Sequence, residues 1–135
     1  MTLAHQTQPA GSNQCGQTCI AMIVGKPRSN IIKMIGRGLT STKDLRKGFD
    51  IFGFDMKELT RCKRFIEFTI PYEQWHTPVV ARVHFQNVTR THWVVLTSTM
   101  VHDPAFGFAM DHESYYAVMR RDCAYFTSYA HVVQR

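Results

Sequence analysis

The stretch SNQCGQTCIAM, residues 12–22, decides how the first half of the chain folds. Its apolar residues, continued by Ile23, recur at the spacing of one helix face. Ser12 and Asn13 provide a cap before the pattern, and Gly25 ends it. The stretch therefore predicts a helix over about residues 14–24, with a cysteine at its start.

Two further helical patterns follow this first helix. SNIIKMIG, residues 29–36, reads as a short helix capped by Ser29. STKDLRKGFDIF, residues 41–52, reads as a third helix, because Leu45, Phe49 and Phe52 form an apolar stripe along it. The first half of the chain is thus predicted to be helical.

After Gly53 the hydrophobic period changes from that of a helix to that of a strand. Residues 54–59 alternate, and residues 65–70 are rich in aromatic and β-branched side chains. The alternation then sharpens into predicted antiparallel strands over 78–85, 92–97 and 100–103, followed by a short helix over 111–120 and a closing strand over 123–133. Helices first and a meander afterwards predict an α+β fold, with one helix packed across the sheet.

The composition is that of one globular domain spanning residues 1–135. The chain is 44% hydrophobic and 19% charged, and it has no apolar run of the roughly 20 residues that a membrane span needs. The N-terminus lacks the basic start and apolar core of a secretory signal. We therefore expect a cytoplasmic protein, or one exported by a route without a signal peptide.

The net charge of +6 and the four cysteines exclude little by themselves. The charge comes largely from two short basic clusters, residues 61–65 and 119–122, without a nucleic-acid motif, so a solvated face is favoured over a nucleic-acid partner. The cysteines are expected to remain free thiols, because Cys15 and Cys19 share one helix face. No cofactor and no metal are expected.

Cys15 is the first candidate for a catalytic residue. The start of a helix favours a thiolate, because the first-turn amides and the macrodipole stabilise negative charge there. Gly16 places no side chain beside the sulfur, which would let a substrate carbonyl approach. A cysteine on an apolar helix face is by itself more often a small core residue, and Cys19, one turn later, is read that way. A nucleophilic thiol also needs a base, usually histidine.

His92 is the histidine best placed to be that base. If Thr97 and Ser98 form the turn between the two strands, residues whose numbers sum to 195 lie opposite each other, and His92 faces Asp103. A three-residue turn would move the opposite position to Pro104 and weaken the pairing. The pattern thus predicts a base and its orienting carboxylate on one hairpin.

The other residues near this hairpin receive plainer interpretations. His84 lies on the neighbouring strand and His102 alternates away from Asp103, so both are predicted to be structural or solvent-facing. Trp93 points opposite to His92 and is predicted to be core. A zinc site from Cys15, Cys19 and two histidines is the main chemical competitor, but structural zinc sites usually hold paired cysteines in a turn.

QPAGSNQCGQTCIAMI, THWVVL and VHDPAFG together resemble three blocks of the papain-like cysteine peptidases that trim double-glycine leader peptides from bacteriocins. That family has Cys-Gly at a helix start, histidine at the head of a hydrophobic strand, and Asp-Pro on the next strand. The resemblance covers nearly the whole chain in order and spacing. It implies a papain-like fold, with N-terminal helices packed on a C-terminal antiparallel sheet, and a protein or peptide substrate.

The resemblance also assigns roles to four residues. Cys15 would be the nucleophile, His92 the general base and acid, and Asp103 the orienter of the imidazole. Gln8 would complete the oxyanion hole beside the backbone N–H of the cysteine. Family members usually have Asp where this chain has Gln14, and their upstream glutamine lies one residue nearer than Gln8, so Gln14 and Gln6 are substitutes for that role.

Three functions are compatible with these residues. The first is a cysteine peptidase or related thiol hydrolase that cleaves a peptide, isopeptide or glutamine amide bond through a thioester. The second is a catalytically silent papain-like module whose basic surface binds a partner. The third is a toxin or phage effector that uses the same site for deamidation or acyl transfer.

Overall fold

The computed structural model describes residues 3–65, 72–85 and 91–135. Over these residues the chain forms an α+β fold, as the sequence predicts. The helices are α1 (Cys15–Val24), α2 (Arg28–Ile35), α3 (Thr42–Ile51) and α4 (His112–Arg121). The strands are β1 (Phe54–Met56), β2 (Thr60–Phe65), β3 (Val79–Phe85), β4 (Thr91–Leu96), β5 (Met100–His102), β6 (Met110–Asp111) and β7 (Ala124–Gln134). No helix among the described residues is both long and apolar enough to cross a membrane.

All strand pairs of the sheet are antiparallel, in the order β1-β7-β3-β4-β5-β6, and β2 also pairs with β7. The long strand β7 holds the sheet together, since it pairs with β3 along one edge and with β1 and β2 along the other. The basic cluster at residues 61–65 belongs to β2, which the charge alone does not indicate. The predicted segment 65–70 lies outside the described residues except for its first residue.

The sheet carries helices on both faces. Helices α1, α2 and α3 bury their apolar side chains against Trp93, Val95 and Val132 on one face. Helix α4 buries Tyr115, Tyr116 and Met119 with alternate strand residues that form a second apolar cluster. The N-terminal helices therefore pack on the C-terminal sheet, and α4 is added on its far side.

The helix starts differ from their predicted caps. Helix α1 has Gln14 as its N-cap, with no side-chain cap hydrogen bond, and helix α2 begins at Arg28 after Pro27. Ser29 thus lies inside the first turn of α2 rather than before it. The reason is that Pro27, with φ −61° and ψ 145°, already fixes the extended conformation of an N-cap. Gly25 does end α1, in the left-handed region at φ 72°.

The predicted register of the β4–β5 hairpin is wrong by two residues. Val95 pairs with His102 and Leu96 with Val101, so opposed residue numbers sum to 197. The turn lies one residue later than predicted, because the Thr97 amide donates to the Met100 carbonyl and the Thr97 hydroxyl accepts from the Met100 amide. A slip of two residues keeps every side chain on its predicted face, since strand alternation has a period of two.

Candidate active site

The candidate site lies where the start of α1 meets the start of β4. Cys15 is the first residue of α1 and is 9% exposed. Its sulfur accepts a hydrogen bond from the His92 imidazole and from the backbone N–H groups of Trp93 and Gly16. The helix start and the strand start thus converge on one thiol.

These contacts set the ionisation of the Cys15–His92 pair. Burial raises the pKa of the Cys15 thiol, but the hydrogen bond and charge of His92 and the two backbone donors outweigh burial and leave that pKa below its ordinary value. Burial lowers the pKa of His92, but hydrogen bonds to Asp103 and Cys15 outweigh it and raise this pKa to about 10. Both shifts favour the pair of a thiolate and an imidazolium over the pair of a neutral thiol and a neutral imidazole.

Asp103 holds the other nitrogen of the imidazole. His92 Nε2 donates to Asp103 Oδ1 over 2.5 Å, so Nδ1 is the nitrogen left to face the thiol. The shifted hairpin register places Asp103 diagonally from His92 rather than directly opposite. A diagonal neighbour on the same face of a sheet lies within reach of an aromatic side chain. His92 and Asp103 are therefore in contact although the predicted register is wrong.

The Asp103 carboxylate is 4% exposed and has two more donors. The Tyr115 hydroxyl donates to Oδ2 over 2.7 Å, and the Ala105 amide donates to Oδ1 over 2.9 Å. Burial alone would raise the pKa of Asp103, but His92 and these two donors lower it below its usual value. Sequence reasoning missed Tyr115, because an aromatic residue on an amphipathic helix face is indistinguishable from a core residue.

Tyr115→Phe is expected to lower the free energy of unfolding by about 1.5–3 kcal/mol, the range for a hydrogen bond to a charged group. Activity should fall severalfold, because the pKa of Asp103 rises and His92 is held less firmly. Denaturant titration and kinetics would measure both effects. Tyr116→Phe is the matched control, since its hydroxyl lies 3.2 Å from His112 Nδ1 and not near the carboxylate. Equal losses of activity in both variants would contradict this role for Tyr115.

Gln8 lies beside the same site. Its Nε2 donates to the Ser12 carbonyl over 2.8 Å and lies 3.5 Å from the Ser12 hydroxyl, which is a longer contact. Gln8 also lines the cavity that His92 and Asp103 line. Gln6 faces away, since it bonds the Lys26 carbonyl and the Arg28 amide. Among the three glutamines, Gln6 is therefore excluded from the oxyanion role.

The segment that carries Gln8 is tied to the loop that follows Asp103. The Gln8 amide donates to the Pro104 carbonyl over 2.8 Å. The Phe106 carbonyl accepts from His5 Nε2 over 2.7 Å and from the Thr7 hydroxyl over 3.0 Å. We call residues 5–8 the N-terminal strap, because they hold Gln8 against this loop.

Gln14, the remaining substitute, directly precedes the nucleophile candidate as the N-cap of α1. Its carbonyl accepts from the Thr18 amide and from the Thr18 hydroxyl. Its side-chain oxygen is buried without a hydrogen-bond partner among the described residues. The lining of the cavity includes Gln8 and does not include Gln14, so Gln8 is the better placed of the two.

Thr40 contacts the other side of the first turn of α1. Its hydroxyl donates to Gln17 Oε1 over 3.0 Å, and its carbonyl accepts from Trp93 Nε1 over 3.1 Å. A Cβ on residue 16 would lie 2.5 Å from the Thr40 Cβ. Gly16 thus makes room for Thr40, which is a packing reason for glycine at this position that the sequence alone did not indicate.

Gly16→Ala is expected to destabilise the fold by about 1–3 kcal/mol, because Thr40 must move and strain its hydrogen bonds to Gln17 and Trp93. Urea unfolding would measure the loss. Gly38→Ala is the control, since a Cβ there meets nothing within 4 Å. Equal stability of the two variants would mean that Thr40 can move without cost and that its contacts do not stabilise α1.

A cavity of about 370 Å³ adjoins the imidazole. Its wall is mainly apolar, and His92, Asp103 and Gln8 are among the residues that line it. The rest of the lining is Gly11, Ser12, Phe85, Thr91, Ala105, Phe106, Tyr115, Val118, Met119 and Asp122. The site therefore joins a reactive pair to a pocket of the size that small ligands occupy.

The remaining predictions for single residues agree with the structure. Cys19 is fully buried and Trp93 is 3% exposed, as predicted for core residues. His102 is buried and its Nδ1 lies 3.3 Å from His5 Nδ1, and burial lowers its pKa to about 4. His84 packs its ring on Tyr125. All four cysteines carry free thiols, and no cluster of metal-ligating side chains occurs within the described ranges.

Comparison with protein-family models and with curated proteins finds no match to this chain. The fold and the site still define a class of structure, an α+β domain in which a buried cysteine, a partly buried histidine and a buried aspartate are hydrogen-bonded in series.

Proposed function

We propose that this chain is a thiol amide hydrolase of the papain-like kind, with Cys15 as nucleophile, His92 as base and acid, and Asp103 as orienter. The observation that carries the proposal is the unbroken series from the Cys15 sulfur through the His92 ring to the Asp103 carboxylate. The resemblance in motif order to leader-trimming cysteine peptidases supports it independently of that geometry.

Acylation begins from the ion pair. The Cys15 thiolate attacks the amide carbonyl carbon, and the carbonyl oxygen becomes an oxyanion held by the Cys15 N–H and by a Gln8 side-chain N–H that exchanges its long contact with the Ser12 hydroxyl for the oxyanion. The C–N bond then breaks as the imidazolium of His92 gives its proton to the leaving amine. The products of this step are a thioester on Cys15, a neutral imidazole and a free amine.

Deacylation restores the starting state. Neutral His92 takes a proton from water, the hydroxide equivalent attacks the thioester carbonyl, and the C–S bond breaks to release a carboxylic acid and the thiolate. Asp103 keeps the ring in one orientation in both steps and stabilises the imidazolium. Tyr115 and the Ala105 amide keep that carboxylate in place.

The test uses p-nitrophenyl acetate as a small acyl donor that needs no side-chain recognition. The expected result is an acetyl group on Cys15 by mass spectrometry, followed by catalytic release of acetate. Cys123→Ser, which alters an exposed thiol, should behave as wild type, and Cys15→Ser should not turn over. A stable acetyl-Cys15 without release would favour the silent binding module, and no acetylation of Cys15 would overturn the proposal.

A further inference from the structure

The cavity lies on one side of the reactive pair only. His92 and Gln8 line it, whereas Cys15 does not. In the proposed reaction the imidazolium of His92 donates its proton to the leaving amine, so the leaving group lies beside the imidazole ring when the C–N bond breaks. A cavity that is reached from the imidazole, and not from the sulfur, lies on the path of the amine half of the substrate.

The size of the cavity distinguishes between possible leaving groups. Deamidation of a glutamine side chain releases ammonia, which needs no pocket. A volume of about 370 Å³ falls in the range of about 300–1,000 Å³ that small-molecule pockets occupy. A space of this size beside the imidazole fits a leaving amine that carries a side chain of its own.

The lining shows what kind of side chain fits. Phe85, Phe106, Val118 and Met119 supply an apolar wall, and Met119 is buried. Both acidic residues in the lining are already paired, since Asp103 accepts from His92 and Asp122 accepts from Arg121 over 2.9 Å. Binding of an apolar side chain here is favourable because it removes apolar surface from water.

We propose that this cavity binds an apolar side chain on the residue that follows the scissile bond, so that the substrate is a peptide bond to an apolar residue. The inference rests on the proposed function and narrows it. It favours peptide cleavage, or acyl transfer to an amino-acid amine, over deamidation of glutamine.

The experiment measures how acetyl-Cys15 partitions between water and added amines. An amine that occupies the cavity attacks the thioester carbonyl, His92 accepts its proton, and the C–S bond breaks to give an N-acetyl amide and the thiolate. Acetyl-enzyme is generated with p-nitrophenyl acetate, and the probes are leucinamide, phenylalaninamide and glycinamide. We expect leucinamide or phenylalaninamide to capture the acetyl group at least about tenfold more efficiently than glycinamide.

Two variants connect the preference to the cavity. Ala105→Trp fills the cavity from an exposed position and should abolish the preference, while the Ala105 amide can still donate to Asp103. Met34→Trp places the same side chain at an exposed position of α2 outside the lining and should keep the preference. A preference for the apolar amides that persists in Ala105→Trp, or that is lost to the same extent in Met34→Trp, would mean that the preference does not come from this cavity.

The outcomes distinguish a failure of the leaving-group pocket from a failure of the proposed hydrolase function. If Cys15 is acetylated and releases acetate, but the three amines compete equally, the cavity is not the leaving-group pocket and the hydrolase stands. If Cys15 is never acetylated, the proposed function and this inference fail together. Selective capture of the apolar amides, lost in Ala105→Trp and kept in Met34→Trp, establishes the pocket.

Discussion

His92→Ala is expected to lower kcat/KM for p-nitrophenyl acetate by at least about 10³-fold. Proton transfer by a positioned side chain contributes about 10²- to 10⁴-fold, and here the same residue also keeps Cys15 ionised. His92 is held by Asp103 over 2.5 Å and contacts the thiol, so its removal ends both contributions. Steady-state kinetics of the purified variant would give the ratio.

His84→Ala is the control for the loss of an imidazole from the same sheet. His84 is on β3, packs on Tyr125 and lies outside the cavity lining, so its variant should keep activity within about twofold of wild type. Circular dichroism on both variants shows whether the fold is intact. A folded His92→Ala protein that retains most of the activity would remove His92 from the reaction.

Cys15 is expected to react with iodoacetamide at pH 6 at least about thirtyfold faster than Cys62. A thiol with the ordinary pKa of about 8.5 is only about 0.3% thiolate at pH 6. His92 and two backbone donors lower the pKa of Cys15, whereas burial raises the pKa of Cys62. The gain in thiolate exceeds the loss of intrinsic nucleophilicity that accompanies a lower pKa. Peptide mapping of the alkylated protein measures both rates.

The pH dependence of this labelling follows from the two shifts. The pKa of His92 is raised to about 10. The contribution of protonated His92 to folding stability is therefore complete below the ordinary histidine pKa of 6.5 and is lost as pH rises through about 10. The pKa of Cys15 is lowered. The contribution of its thiolate to folding stability is therefore present above the ordinary thiol pKa and is lost as pH falls through the lowered pKa. Rapid alkylation of Cys15 should therefore persist to a lower pH than alkylation of a thiol with the ordinary pKa. A Cys15 rate that rises only above pH 8 would contradict the lowered pKa of Cys15.

Hydrophobic periodicity was sufficient for the main elements of the fold. The segments predicted as helices over about 14–24, 29–36 and 41–52 correspond to α1, α2 and α3, with shifts of a few residues at their ends. Short strands are the exception. β6 has two residues and β2 carries the sequence TRCKRF, so neither offers a period long enough to detect.

The candidate site was predictable where chemistry depends on residue type and order. Cys15, His92 and Asp103 are in contact in series although the hairpin turn was misplaced, because an error of two residues preserves the face. Tyr115 and Thr40 could not be found in this way. Their contacts with Asp103 and with Trp93 depend on how distant elements meet, which a local pattern does not contain.

The N-terminal strap has a consequence for how activity responds to heat. Hydrogen bonds to the carbonyls of Pro104 and Phe106 hold it, whereas the sheet is held by two apolar clusters. Segments with few buried apolar contacts open at a lower free energy than the core. Gln8 would therefore leave the site while the sheet is still folded, and the temperature optimum of turnover should lie below the melting temperature of the protein.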